Sequence, residues 1–142
     1  MGASSRQTDV IRRLHKAMND HDIDAFLECF HEDYESVRPI RPSRNFRGRA
    51  QVEKNWSTIF KNIPDYRAEL IRMVEDGDVV WAEWHWGGTQ PDGQRMNMRG
   101  VVLFGIQEER ISWGRLYIEV AEERDEDIDD WVQQTTEGRR KS

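Results

Sequence analysis

Apolar residues first recur at helical spacing. Val10, Ile11, Leu14, Ala17 and Met18 share one face, Thr8 stands where an N-cap would, and the run NDHD at 19–22 interrupts the repeat. A second, short helix is predicted where Ile23, Phe26, Leu27 and Phe30 follow. Residues 33–38, DYESVR, alternate as a strand does, and PIRPSRNFRGR, with its two prolines and one glycine, predicts a long loop. Helical spacing returns in AQVEKNWSTIFKNI, which puts Val52, Trp56, Ile59 and Phe60 on one face and stops before Pro64. Strand-like runs then follow: YRAELIRMVE, DVVWAEWHWGGTQ, QRMNMRGVVLFGI and RISWGRLYIEV, joined by turns short enough for antiparallel meander pairing.

The order is therefore helices, a strand, a helix and a curled antiparallel sheet, an α+β arrangement. Beyond Ala121 the run EERDEDIDD is acidic, with only Ile128, Trp131 and Val132 available to dock. This predicts a flexible N-terminus over 1–8, one domain over 9–121 and an acidic tail over 122–142 that holds at most one loose helix.

Composition narrows the function. At 142 residues, with 37% hydrophobic and 34% charged residues, the chain suits one domain with a heavily solvated surface. Lys and Arg number 21 against 27 Asp and Glu, a net charge of -6, and no basic stripe suits a phosphate backbone, so nucleic acid is not an expected partner. No apolar run is long enough for a signal-peptide core or a membrane span, so a soluble, cytoplasmic protein with no membrane partner is expected. The start MGASSR lacks the Ser or Thr that myristoylation needs at position 6, which is Arg6. The single cysteine, Cys29 in FLECF, reads as buried filling. His15, His21, His31 and His85 are not at zinc-motif spacings, and the first three are expected on solvated helix surfaces or ends. No metal and no cofactor are expected, since FRGR is no glycine-rich phosphate loop.

The stretches NDHDIDAFLECFHEDY, FRGRAQVEKNW, GDVVWAEWHWGGT and ERISWGRLYIE, in that order and spacing, resemble the nuclear transport factor 2-like superfamily. Within it they are similar to the SnoaL-like group of polyketide cyclases, ketosteroid isomerase and limonene epoxide hydrolase. The resemblance implies a cone: a curved sheet wrapped around about three N-terminal helices, with an apolar cavity at the open end and dimerisation through the outer sheet face. It does not carry the established catalytic residues over. Ketosteroid isomerase's general-base aspartate falls at Arg38, its tyrosine donor at Leu14 and its protonated aspartic acid at Val102. The key aspartate of the cyclase and epoxide hydrolase groups falls at Leu116.

Side-chain alternation splits VVWAEWHWGG into two faces, one with Trp81, Glu83 and His85, the other with Val80, Ala82, Trp84 and Trp86. Pairing 81 opposite 102 across the PDG hairpin would put Trp81, Glu83 and His85 on the cavity side, together with Met96, Met98, Gly100, Val102 and Phe104. The ligand-binding candidates are then Arg38, Tyr34, Trp56, Phe60, Trp81, Met98, Val102, Phe104 and Leu116. A mostly apolar lining with a few polar groups is the pattern of a small-molecule site. Glu83 beside His85 would raise and orient the imidazole as an acid–base pair, with Arg38 or Tyr34 stabilising an oxyanion. The bland alternative makes Glu83 and Arg38 a structural pair and His85 a satisfied rim histidine. Trp84, Trp86, Trp113, Arg115 and Tyr117 would form the outer, dimer-forming face. Two functions compete: cofactor-free proton transfer (isomerisation, cyclisation or dehydration) on a small apolar molecule, and a non-catalytic ligand-binding or dimeric interaction module.

Overall fold

The computed structural model describes residues 5–123 and 127–137. Helix α1 spans Arg6–Asp20 and buries the predicted face of Val10, Ile11, Leu14, Ala17 and Met18. Its N-cap is Ser5 rather than Thr8: the Ser5 hydroxyl accepts from the Thr8 N–H at 3.0 Å and the Thr8 hydroxyl accepts from the Ser5 N–H at 3.1 Å. Two donors are satisfied reciprocally, so the helix already includes residues 6–8 of the expected N-terminal arm. Residues 1–4 of that predicted arm lie outside the described residues. The helix ends where His21 turns left-handed at φ 54°. Helix α2 (Ile23–Glu28) is capped by Asp22, and α3 covers Arg49–Asn62.

Six strands make one sheet: β1 Phe30–Val37, β2 Phe46–Arg47, β3 Arg67–Asp76, β4 Val79–Thr89, β5 Arg95–Gln107 and β6 Arg110–Val120. Their order is β2-β1-β6-β5-β4-β3. The pairing of β1 with β6 is parallel and the other four are antiparallel. The sheet is curved and unclosed, and α1 packs across the concave side of β3 and β4. The stretch read as loop holds a 3-10 turn, Pro42–Arg44, before the short strand β2 pairs Phe46 with Ser36. In the tail, α4 spans Ile128–Thr136 and buries none of its residues. Ile128, Trp131 and Val132, the expected docking residues, stay exposed. Among the described residues no helix is long and apolar enough to cross a membrane.

The register of β4 on β5 differs from the expected one by a single residue. Trp81 faces Leu103, while Ala82 faces Val102 and Trp84 faces Gly100. The cause is the hairpin loop. Gln90 and Gln94 close it, with the Gln90 N–H donating to the Gln94 carbonyl at 2.8 Å, so three residues, Pro91, Asp92 and Gly93, lie between them. Gly93 takes φ 87°, the left-handed position that a three-residue hairpin loop requires. An odd loop pairs even with even positions. Hence Val80, Ala82, Trp84 and Trp86 are buried against the helices, and Trp81, Glu83 and His85 stand on the convex face. This corrects the face assigned to all seven, while Met98, Val102 and Phe104 keep theirs.

Three histidines also differ from expectation. The Nε2 atoms of His15, His21 and His31 lie 2.8, 2.8 and 2.6 Å from the carbonyl oxygens of Ala68, Tyr66 and Gln107. A carbonyl only accepts, so each Nε2 must carry the proton. These half-buried rings tie the helical layer and the start of β1 to β3, to Tyr66 just before it and to β5, which is why they are not simply solvated. Cys29 is buried with its thiol 3.5 Å from the Ala25 carbonyl, and burial pushes its pKa up to about 11, as filling rather than nucleophile.

Candidate functional site

Between the helices and the concave sheet lies a cavity of about 500 Å³. Its wall is built by alternation: β1 contributes Tyr34 and Ser36, β5 contributes Met96, Met98, Val102 and Phe104, and β6 contributes Leu116. Helix α3 supplies Trp56 and Ile59 from its inner face, and Trp86 of β4 meets Trp56 edge to face at 5.6 Å. The lining is mostly apolar, with a polar strip where Tyr34, Ser36 and Arg38 succeed one another at every second position of β1 and its extension, and further polar groups at Arg44 of the 3-10 turn and Lys54, Asn55 and Thr58 of α3.

That strip has a defined electrostatic state. Tyr34 is almost fully buried, and burial pushes its phenol up to about 12 while a hydrogen bond to Ser36 and the nearby Arg38 charge pull the other way. It is a neutral donor at any physiological pH. Arg38 has a side chain only 16% exposed; its Nη1 donates to the Ile118 carbonyl at 3.1 Å and lies 3.6 Å from Glu119 Oε2. Burial lowers its pKa from the ordinary guanidinium value, Glu119 opposes that shift, and Arg44 adds to it. Glu119 also binds Arg41 Nε at 3.2 Å, so one carboxylate on β6 fixes both ends of the 38–41 segment at the rim.

Of the predicted ligand-binding residues, Tyr34, Arg38, Trp56, Met98, Val102, Phe104 and Leu116 line the cavity. Phe60 does not; it stacks on the His21 ring at 4.8 Å. Trp81 is 47% exposed on the convex face. Glu83 and His85 are also outside the cavity. Glu83 pairs with Arg72 at 3.4 Å, and His85 Nε2 lies 2.8 Å from Asn97 Oδ1 with its Nδ1 3.6 Å from Glu69. The supposed structural pair of Glu83 with Arg38 is replaced by two others, Glu83 with Arg72 and Glu119 with Arg38. Trp84 and Trp86, assigned to the outer face, are core residues at 0% and 6% exposure. Sequence reasoning missed Trp86, Arg44, Phe46 and Lys54 as lining residues. For Trp86 the signal was the odd loop length; Arg44 and Phe46 sat in a segment read only as a loop.

The fold and cavity define a small cone-shaped α+β domain, and the comparisons place it among known ones. The chain belongs to the SnoaL-like domain family, which matches residues 11–113. Among solved structures it is similar to wild-type IdmH of Streptomyces antibioticus, with 21% identity and TM-score 0.69 over 81% of this chain and 93% of that one. It is similar to a SnoaL-like polyketide cyclase candidate from Jannaschia sp. CCS1, with 17% identity and TM-score 0.69 over 84% and 92%. It is also similar to a hypothetical protein of ketosteroid isomerase-like fold from Catenulispora acidiphila DSM 44928, solved with trimethylamine, with 17% identity and TM-score 0.64 over 80% and 85%. At these identities the likeness carries the fold and nothing finer. No curated protein gives a significant match.

Proposed function

We propose that this domain binds a small, mostly apolar molecule in the cone cavity and holds its polar end at Tyr34, Ser36 and Arg38. The observation that carries the reading is the lining itself: a mostly apolar space of about 500 Å³ with a few polar groups from β1, the 3-10 turn and α3, within the ~300–1,000 Å³ range of small-molecule sites. Binding is favoured over acid–base turnover because no aspartate, glutamate or histidine lines the cavity among the described residues. Proton abstraction from a bound carbonyl compound needs a base within hydrogen-bond reach, and Tyr34, held near 12, is no base at neutral pH. Trimethylamine, a cation at neutral pH, is a poor guide to the ligand here, since the lining offers it no carboxylate.

The test fills the cavity. Met98→Trp places an indole into the space, and thermal shifts against naphthalene- and terpene-sized ligands are compared with those of the parent protein. Stabilisation of the parent by several such ligands, lost in Met98→Trp, is expected. A parent that no ligand stabilises would sink the reading.

The convex face supports a second proposal, a homodimer. Trp81 and Tyr117 are 47% and 38% exposed there, and the Trp113 indole lies so close over Gly105 that a Cβ at 105 would sit 1.9 Å from its Nε1. Arg115 Nη2 donates to the Tyr117 hydroxyl at 3.1 Å, so an aromatic and an arginine side chain stand together on this face. Trp81 takes the place that Trp84 and Trp86 were expected to hold. Light scattering should report a dimer for the parent and a monomer for Trp81→Glu with unchanged circular dichroism. A monomeric parent at concentrations well above micromolar would rule the interface out.

A further inference from the structure

We infer that the ligand of the cavity is an organic anion: an aromatic or branched apolar body carrying one carboxylate, seated against Arg38. The inference rests on the reading of the cavity as a ligand site and adds the charge of what enters it.

The argument starts from a mismatch of sign. The protein as a whole is acidic, with 27 Asp and Glu against 21 Lys and Arg, yet every charged residue lining the cavity is basic: Arg38, Arg44 and Lys54. They come from three separate elements, the end of β1, the 3-10 turn and α3, so the convergence is a product of the fold and not of a local basic run. Both arginines line the one cavity, and the Arg44 charge helps lower the Arg38 pKa. The carboxylate that faces Arg38, Glu119, is not part of the lining and is divided between Arg38 and Arg41.

The donor geometry agrees. Among the described residues, both contacts of the Arg38 guanidinium fall on Nη1. The edge formed by Nε and Nη2 is the one that matches a carboxylate with two parallel N–H···O bonds. Tyr34, neutral and a donor, lines the same wall four residues away. A neutral hydroxyl ligand would accept one bond from this guanidinium and leave its charge uncompensated, whereas a carboxylate accepts two parallel bonds and supplies the opposite charge. An ammonium would meet three cations.

A matched series of probes tests the charge alone: 2-naphthoate, 2-naphthylmethanol and protonated 2-naphthylmethylamine, titrated by calorimetry into the full-length protein, its Arg44→Gln variant and its Arg38→Gln variant. The expected result is 2-naphthoate binding at least about tenfold tighter than the alcohol, with the ammonium weakest. Arg44→Gln, on the exposed rim, should weaken the naphthoate several-fold more than it weakens the alcohol, and Arg38→Gln should abolish the preference. If the alcohol binds as well as the naphthoate, the anion inference is overturned and the cavity reading stands. If none of the three binds, the cavity reading falls and the inference with it. The rim variant keeps the question open to test even where loss of the Arg38 bond to Ile118 unfolds the second variant.

Discussion

Trp84→Ala is expected to cost about 3–5 kcal/mol of stability, while His85→Ala, one residue along the same strand, is expected to change it by less than about 1 kcal/mol. The contrast follows from the register of β4. Trp84 is fully buried, with its ring set edge to face against His15 at 5.7 Å and Phe104 at 6.4 Å and tilted against Trp86 at 6.1 Å. Removing it leaves a cavity between α1 and the sheet that no neighbour can fill without moving backbone. His85 loses only its contacts to Asn97 and Glu69 on the convex face. Trp84→Phe separates size from polarity: the indole N–H has no hydrogen-bond partner among the described residues, so most of the cost should track lost volume and the phenylalanine variant should recover the larger part of it. Urea denaturation of the three variants is the measurement. Equal losses for Trp84→Ala and His85→Ala would contradict the register and, with it, the exclusion of His85 from the cavity.

The same pair of residues shows what could be read without coordinates. Alternation along VVWAEWHWGG separates two faces correctly, because period-two geometry is local. Which face turns inward is not local; it depends on one loop residue more or less between Thr89 and Arg95. Composition pulled the wrong way, since Glu83 and His85 look like chemistry and two tryptophans look like an interface. Yet PDG at 91–93 contains the answer, with Gly93 at the left-handed position of a three-residue loop. On β1 the prediction was easier. Tyr34, Ser36 and Arg38 alternate against Asp33, Glu35 and Val37, so one stripe had to face the helices whatever the register. The capping of α1 was misplaced by one turn for a related reason: Ser5 and Thr8 are both good caps, and only the reciprocal bonds decide which of them serves. The ion pairs were least legible, because Arg38 and Glu119 are far apart in the chain and meet across a parallel pairing that the expected meander did not contain.

Gly100→Ala is expected to destabilise the domain by roughly 3–5 kcal/mol and to abolish ligand uptake together with it. Gly100 sits in the middle of β5, opposite Trp84 on one side and Ile118 on the other, at φ 153°. A Cβ there would lie 2.2 Å from the Tyr117 carbonyl oxygen and 2.6 Å from the Ile118 Cα, both backbone atoms that no rotamer change can move aside. The strain of a positive φ adds to that collision. Relief requires β5 and β6 to part at this position, and the consequences run straight to the site: Met98 and Val102 flank Gly100 in the lining, and the Ile118 carbonyl is the acceptor that fixes Arg38. Gly87→Ala is the control. It lies in β4 without a positive φ, and its added Cβ would meet only the Met96 carbonyl oxygen at 3.4 Å, so a change within about 1 kcal/mol is expected. Chemical denaturation and naphthoate titration on both variants distinguish the two. A Gly100→Ala protein as stable and as binding-competent as Gly87→Ala would mean that β5 and β6 can part at Gly100 without disturbing the cavity wall.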